Sequence, residues 1–219
     1  MKRRQHFTLV EILIVIGIIA VLAGMLLVGL NSATGKAEFG KAKSEITNLK
    51  NAIAAFELEY NKLPKPKDYT STNADDDPAA LTSAQYTWLI KVLQGEELTA
   101  TEKSNYGDPN KRKKSFLPTQ GNTRGEYKDP WDNDYNVVFE WKYDKGINNK
   151  KGIIPGLKAD KDSSNDRWIR HNVIIWSEGS DGKSKTGKDD DDWKDDDNED
   201  NVYSLDTSWS PKVGHTISR

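Results

Sequence analysis

Apolar residues are concentrated at one end of this chain. From Ile12 to Leu30 no side chain is charged or strongly polar. As a helix that stretch would measure roughly 28 Å at about 1.5 Å per residue, close to the roughly 30 Å of a bilayer's hydrocarbon core. Past Asn31 the period changes. Ile46, Leu49, Ile53, Phe56, Tyr60 and Leu63 recur at alternating three- and four-residue steps, which draws one apolar stripe on a helix. Lys41, Lys43, Glu45, Lys50, Glu57, Glu59 and Lys62 lie off the stripe, and Pro64 and Pro66 end it. The pattern predicts one helix from about Thr8 to about Lys62, with Gly35 and Gly40 as places where it can bend or break. The stripe is too short for a coiled coil and predicts packing against the chain's own sheet.

Farther along, Ser83 to Leu93 reads as a short helix, with Trp88, Leu89, Val92 and Leu93 apolar and Gly95 as its stop. Glu96 to Thr123 is polar and predicts loop. Asp134 to Tyr143 alternates: Tyr135, Val137, Phe139, Trp141 and Tyr143 face one way, and Asn136, Glu140 and Lys142 the other, as in a half-buried strand. Trp168 to Ser177 predicts a second strand centred on Val173-Ile174-Ile175-Trp176, and Val202 to Leu205 a short third. The predicted fold class is α+β: a long N-terminal helix, half membrane-spanning and half amphipathic, packed on a small antiparallel sheet.

Composition narrows the function classes. The chain has 219 residues, 35% of them hydrophobic, and a mean hydropathy of −0.79, so outside the N-terminal run it is too polar for a large core. It has no cysteine, which removes disulfides and thiolate zinc sites. Its net charge of −2 gives no bulk attraction to nucleic acid. The basic run Lys111-Arg112-Lys113-Lys114 has no interleaved aromatics and reads as a solvated loop rather than a site for an anionic polymer. The histidines are His6, His171 and His215, and no phosphate-binding glycine loop, nucleophile elbow or paired-His metal motif is present. Carboxylates are plentiful, but nothing singles out a glycosidase-type pair. The chain reads as a structural protein, not an enzyme.

At the N-terminus, Lys2, Arg3 and Arg4 form a positive head that would stay in the cytoplasm while the bulk of the chain is exported. A cleaved secretory signal has an apolar region of only about 7–15 residues, although Asn31-Ser32-Ala33 offers a weak cut site. A plain signal anchor is the second reading. A third must account for Glu11, at the mouth of the apolar run behind Phe7, Leu9 and Val10. A carboxylate in a bilayer costs roughly 2–3 kcal/mol or more, so it calls for a partner.

The stretch Phe7-Thr8-Leu9-Val10-Glu11-Ile12-Leu13-Ile14-Val15-Ile16 resembles the cleavage region of type IV prepilins and type II secretion pseudopilins. The resemblance implies cleavage between His6 and Phe7 by a prepilin peptidase and N-methylation of Phe7. It also implies that Glu11 meets the new amine of a neighbouring subunit, a pairing that makes a buried charge tolerable. Two residues depart from the family pattern. His6 stands where Gly usually precedes the cut, and Val28 stands at the usual Pro position, beside Gly29. The implied organisation is a leader at 1–6, an assembly and membrane half at 7–30, an amphipathic half at 31–63 and an exported domain at 64–219. The implied location is the bacterial inner membrane, crossed once, with the C-terminal domain in the periplasm or outside. The implied partners are further copies of itself, minor pseudopilins, a prepilin peptidase and an inner-membrane assembly platform, with no nucleic acid.

Later motifs narrow the resemblance. Asp129-Pro130-Trp131-Asp132-Asn133-Asp134-Tyr135 looks like the Asp-Pro-Trp-Gly-x-x-Tyr signature of the type II secretion major pseudopilin. Ile175-Trp176-Ser177-Glu178-Gly179-Ser180-Asp181-Gly182 looks like its Ser-x-Gly-x-Asp-Gly turn, and Asp200-Asn201-Val202 followed by Trp209 like its closing segment. Nine of the twelve residues from Asp189 to Asp200 are acidic, a density that requires either solvation or a cation, and hard oxygen ligands suit Ca²⁺. The spacing fits no EF-hand, and a solvated loop is the plain alternative. The resemblance implies a calcium ion between residues 178 and 201, held by Asp181 and Asp200, by Asn201 in place of an Asp, and by the carbonyls of Glu178 and Asn198. Asp195, Asp196, Asp197 and Glu199 are rival ligands. The resemblance therefore implies a filament subunit that drives protein export. A pilin or minor pilin for adhesion or DNA uptake is the alternative, and a membrane-anchored calcium- or glycan-binding module is one from another class.

Overall fold

The structure is a computed structural model. It describes residues 8–69, 79–120, 123–140, 147–148, 154–155, 157–158, 160–161, 167–169, 171–184, 197, 200–205, 207–208 and 215–217. Of these, 26–33, 148, 157–158, 160–161, 167–168, 207–208 and 215–217 are described by backbone alone. Helix α1 runs from Leu9 to Tyr60 and is unbroken at Gly35 and Gly40. The chain divides into two compact units, Met1–Gly40 and Lys41–Arg219. In the first unit the large apolar side chains from Leu9 to Met25 all face outward. Among the described residues, no helix is long and apolar enough to cross a membrane. The run inferred from the sequence continues through residues 26–30, whose side chains lie outside the description.

The second unit begins within α1. Ile46, Leu49, Ile53 and Phe56 are fully buried along the predicted stripe. The helix stops at Tyr60 because Asn61 takes a left-handed φ of 53°, a conformation Asn tolerates, and two prolines follow. Helix α2, Ser83–Gln94, is closed at both ends. Thr82 and Gln85 form a capping box, and Gly95, at φ 74°, ends the helix in the left-handed region. The segment expected to be loop contains a third helix, α3, Ala100–Asn105, started by the capping box of Thr99 and Glu102. That Thr-x-x-Glu signal was present in the sequence but lay in a segment too polar to show a periodic stripe.

Strands β1 (Asn136–Phe139), β6 (Val173–Ser177) and β7 (Val202–Tyr203) form an antiparallel sheet in the order β1-β6-β7. Asn136 pairs with Trp176, and Trp176 with Tyr203. The predicted second strand is in fact two. Arg167–Ile169 is a separate strand, β5, and a bond from the His171 N–H to the Ile169 carbonyl marks the turn before β6. β5 pairs with β2 (Ile147–Asn148) and β4 (Asp160–Lys161), while β9 (His215–Ile217) pairs with β3 (Leu157–Lys158) and β8 (Thr207–Ser208).

The central sheet is covered on both faces. Val137, Phe139, Val173, Ile175 and Val202 pack into the core shared with α1 and α2. Their neighbours Val138, Ile174, Trp176 and Tyr203 point the other way, into a second core with Ile147, Ile154, Ile169 and Leu205. Glu140, expected on a solvated face, is buried. The expected half-buried strand is therefore corrected to one buried on both faces from Val137 to Phe139. Trp141 and Tyr143 lie outside the described residues.

Candidate functional site

Two places carry the residues singled out by sequence. The first is the start of α1. The Thr8 N–H and hydroxyl both donate to Glu11 Oε2, at 2.8 and 2.9 Å, and the Glu11 N–H donates back to Thr8 Oγ1 at 3.2 Å. This reciprocal set is a capping box, which satisfies otherwise orphaned donors of the first helical turn. By sequence Glu11 reads as a charge in need of a partner. The Thr8-x-x-Glu11 spacing gives it a local role as well. His6 and Phe7, the proposed processing residues, lie outside the described residues.

The second place is the turn after β6, where the segment that follows the acidic run returns. Asp200 is its centre. Its Oδ2 accepts from the Ser180 N–H at 2.6 Å, the Ser180 hydroxyl at 2.7 Å and the Asp181 N–H at 3.2 Å. Gly179, at φ 72°, permits this approach, since a Cβ there would collide with the Asp200 carboxylate. Asp181 is exposed and its Oδ1 accepts from the Lys183 N–H. Asn201 is buried; its Nδ2 donates to the Tyr203 hydroxyl and its Oδ1 accepts from Ser184 Oγ at 3.4 Å. The Glu178 carboxylate accepts from Asn136 on β1. Thus Asp181, Asp200 and Asn201 are brought to one turn, Glu178 lies at its entry, and Asn198 lies outside the described residues, as do Asp195, Asp196 and Glu199.

Among the described residues, no group of three or more His, Asp or Glu side chains is gathered as a metal cluster. One atom nonetheless suits a hard cation. Asp200 Oδ1 is buried and takes no hydrogen bond, a costly state for a carboxylate oxygen that an oxygen-seeking cation would relieve. Asp200 and its chain neighbour Asn201 offer oxygen donors of the type such an ion takes.

The turn is anchored to the segment Asp129–Tyr135, which carries the Asp-Pro-Trp motif. Ser177 Oγ donates to Asp129 Oδ2 at 2.6 Å, and Asp129 Oδ1 accepts from the Trp131 and Asn133 N–H groups. Asp132 has φ 73°, the left-handed region that favours the Gly of the related signature. Tyr135, the last residue of that motif, donates to Glu45 of α1 at 2.8 Å. Glu45 was placed off the buried stripe by sequence, yet it is 8% exposed and also accepts from Gln120 Nε2 at 2.6 Å. The basic run is held by the protein's own carboxylates: Arg112 and Lys114 on Glu59, and Lys113 on Glu97. Hydrogen bonds from Lys103 and Lys113 bring the Glu97 carboxyl down to about 2.

Residues 1–27 match the family described as Prokaryotic N-terminal methylation motif. The chain is 27% identical to the type II secretion system core protein G of Pectobacterium carotovorum subsp. carotovorum over 143 residues, covering 65% of this chain and 72% of that protein. It is 41% identical to the type II secretion system core protein G of Aeromonas hydrophila over 64 residues, 29% of this chain and 45% of that protein. No solved structure matches. A methylation motif at the start, similarity to core protein G beyond it and a helix beside a small antiparallel sheet make this chain similar to type IV pilin-like proteins, and among them to the major pseudopilins.

Proposed function

We propose that the chain is a structural subunit of a type II secretion-like filament, inserted once in the bacterial inner membrane and polymerised to move protein cargo outward. The observation that carries this reading is Glu11, the one charged side chain in an otherwise apolar, outward-facing helical run from Leu9 to Met25, together with the methylation motif over the same residues. A prepilin peptidase would cut between His6 and Phe7, and Phe7 would then be methylated. Glu11 would pair with the amine of a neighbouring copy. Further partners would be minor pseudopilins and an assembly platform. Intact-mass analysis of membrane-extracted protein tests the reading. The expected mass lacks Met1–His6 and carries one added methyl group; a mass retaining those residues, or a cut near Ala33, would overturn it.

Glu11→Gln separates pairing from helix initiation. A glutamine at that position can still complete the capping box with Thr8 but carries no charge for a neighbour's amine. Membrane insertion should persist and cross-linked filament yield should fall. We also propose that the turn at Glu178–Asp181 and Asp200–Asn201 holds Ca²⁺. Asp200 Oδ1, Asp181 and the Asn201 carbonyl oxygen are the side-chain ligands, and the Glu178 and Asn198 carbonyls complete the set. The ion would neutralise clustered carboxylates and fix the turn against β6. The buried, unbonded oxygen of Asp200 supports this reading.

A further inference from the structure

Asn201 stands where a carboxylate would be expected of a cation loop, and its surroundings give a reason. The Tyr203 hydroxyl donates to the Pro155 carbonyl at 2.5 Å, and Asn201 Nδ2 reaches the same hydroxyl at 3.1 Å. A tyrosine hydroxyl has a single proton. With that proton committed to Pro155, its oxygen can only accept, so the residue facing it must donate. The NH₂ of Asn201 meets that demand, and its Oδ1 is thereby turned to the opposite side, where Ser184 contacts it. An aspartate would offer a second acceptor and would draw the tyrosine proton away from Pro155.

Tyr203 is 2% exposed, and it sits opposite Trp176 in the second core with Ile154, Ile169 and Leu205. The same short segment is tied to the first core. Ser204 Oγ accepts from the Ile175 N–H, and Lys43 of α1 donates to the carbonyls of Tyr203 and Leu205. The unbonded Asp200 oxygen is therefore one residue from an amide whose orientation is fixed by the element that seals the far face of the sheet.

We propose that Asn201 and Tyr203 form a relay that couples the cation loop to the segment around Pro155, so that loading the loop tightens the second core. This rests on the calcium reading above. An ion that takes the Asn201 carbonyl oxygen polarises the amide N–H and holds one rotamer. That rotamer keeps the Tyr203 oxygen in its accepting role and its proton on Pro155. Tyr203 is a positioning residue here and does not touch the ion.

Hydrogen exchange read by mass spectrometry, together with thermal unfolding, on the full chain in detergent micelles tests the relay. Calcium should slow exchange in peptides spanning Ile154 to Ile169 by about tenfold relative to chelator. Tyr203→Phe keeps the ring in the core and removes the hydroxyl's bonds to Pro155 and Asn201. It should retain a calcium-induced rise in Tm while exchange in that region becomes independent of calcium. Asn201→Asp should speed exchange there in chelator despite its added charge. If Tyr203→Phe still shows calcium-dependent slowing, or if the unaltered chain gains Tm with calcium while exchange at Ile154–Ile169 is unchanged, the relay is wrong and the ion site stands. If calcium alters neither quantity, both fall.

Discussion

The buried carboxylate of Glu45 makes a stringent test of how α1 is joined to the sheet. Its two oxygens have separate partners, Tyr135 O–H at 2.8 Å and Gln120 Nε2 at 2.6 Å. Gln120 cannot turn to suit a substitution, because its Oε1 accepts from the Lys128 N–H and its Nε2 also donates to the Lys128 carbonyl. Glu45→Ala strands the hydroxyl of Tyr135, a residue 1% exposed, and leaves half-buried Gln120 one bond short. A stranded buried group costs about 1–3 kcal/mol. Tyr135 should bear most of that, with a smaller share from Gln120, for a total of about 2–4 kcal/mol. For a domain of this size that is a fall in Tm of roughly 4–16 °C. Glu45→Gln should cost less, about 1–2 kcal/mol, because one amide oxygen can serve only one of the two donors. Tyr135→Phe alone leaves Glu45 short of a donor, whereas Glu45→Ala with Tyr135→Phe removes both ends of the bond. The double substitution should therefore be less damaging than the sum of the singles by at least about 1 kcal/mol. Thermal unfolding of the full chain in detergent, followed by near-ultraviolet circular dichroism, measures all four. A Glu45→Ala chain that melts within about 1 °C of the parent would refute the reasoning, since the carboxylate would then be solvated in solution.

Three further outcomes follow from the same structure. Ca²⁺ at a hundred times its dissociation constant should stabilise the chain by about 2.7 kcal/mol, with Mg²⁺ a poor substitute because it keeps its octahedral water; Asp181→Ala should remove most of the shift, and equal Tm in calcium and chelator would sink the site. Asp132→Gly should raise stability by about 0.5–1 kcal/mol, because glycine occupies φ 73° without a Cβ penalty; an unchanged or lower Tm would show that the aspartate is not strained there. Burial pushes the hydroxyls of Tyr69, Tyr86 and Tyr203 above their ordinary range. Raised folded values mean that their contribution is fully present below the unfolded value, about pH 10, and is lost as pH climbs past it. Urea midpoints should therefore decline from pH 10 upward, and midpoints flat to pH 11.5 would contradict the burial.

Periodicity along the chain was enough to place α1, since a stripe at steps of three and four leaves a helix few alternatives, and Ile46, Leu49, Ile53 and Phe56 are buried as that stripe required. The same held for α2, whose Gly95 stop is a local backbone signal. The short signature residues carried the pilin-like reading because they are contiguous. Other features depended on residues distant in sequence. Val138 and Glu140 alternate with Val137 and Phe139, and nothing local says that the second face of that strand is also covered. The cover comes from Ile147 and Ile169, in strands of two and three residues too short to leave a period, and from Ile154, which lies in a bend. Glu45 reads as a surface charge until Tyr135, ninety positions on, brings a hydroxyl to it. Asp129, Ser177, Asp181 and Asp200 were each visible as polar residues in turns, but that Asp200 would turn one oxygen to the Ser180 and Asp181 amides and bury the other was decided by the fold. Helix periods and turn residues are set by neighbours within a few positions. Burial of a polar group is set by whatever the rest of the chain lays over it.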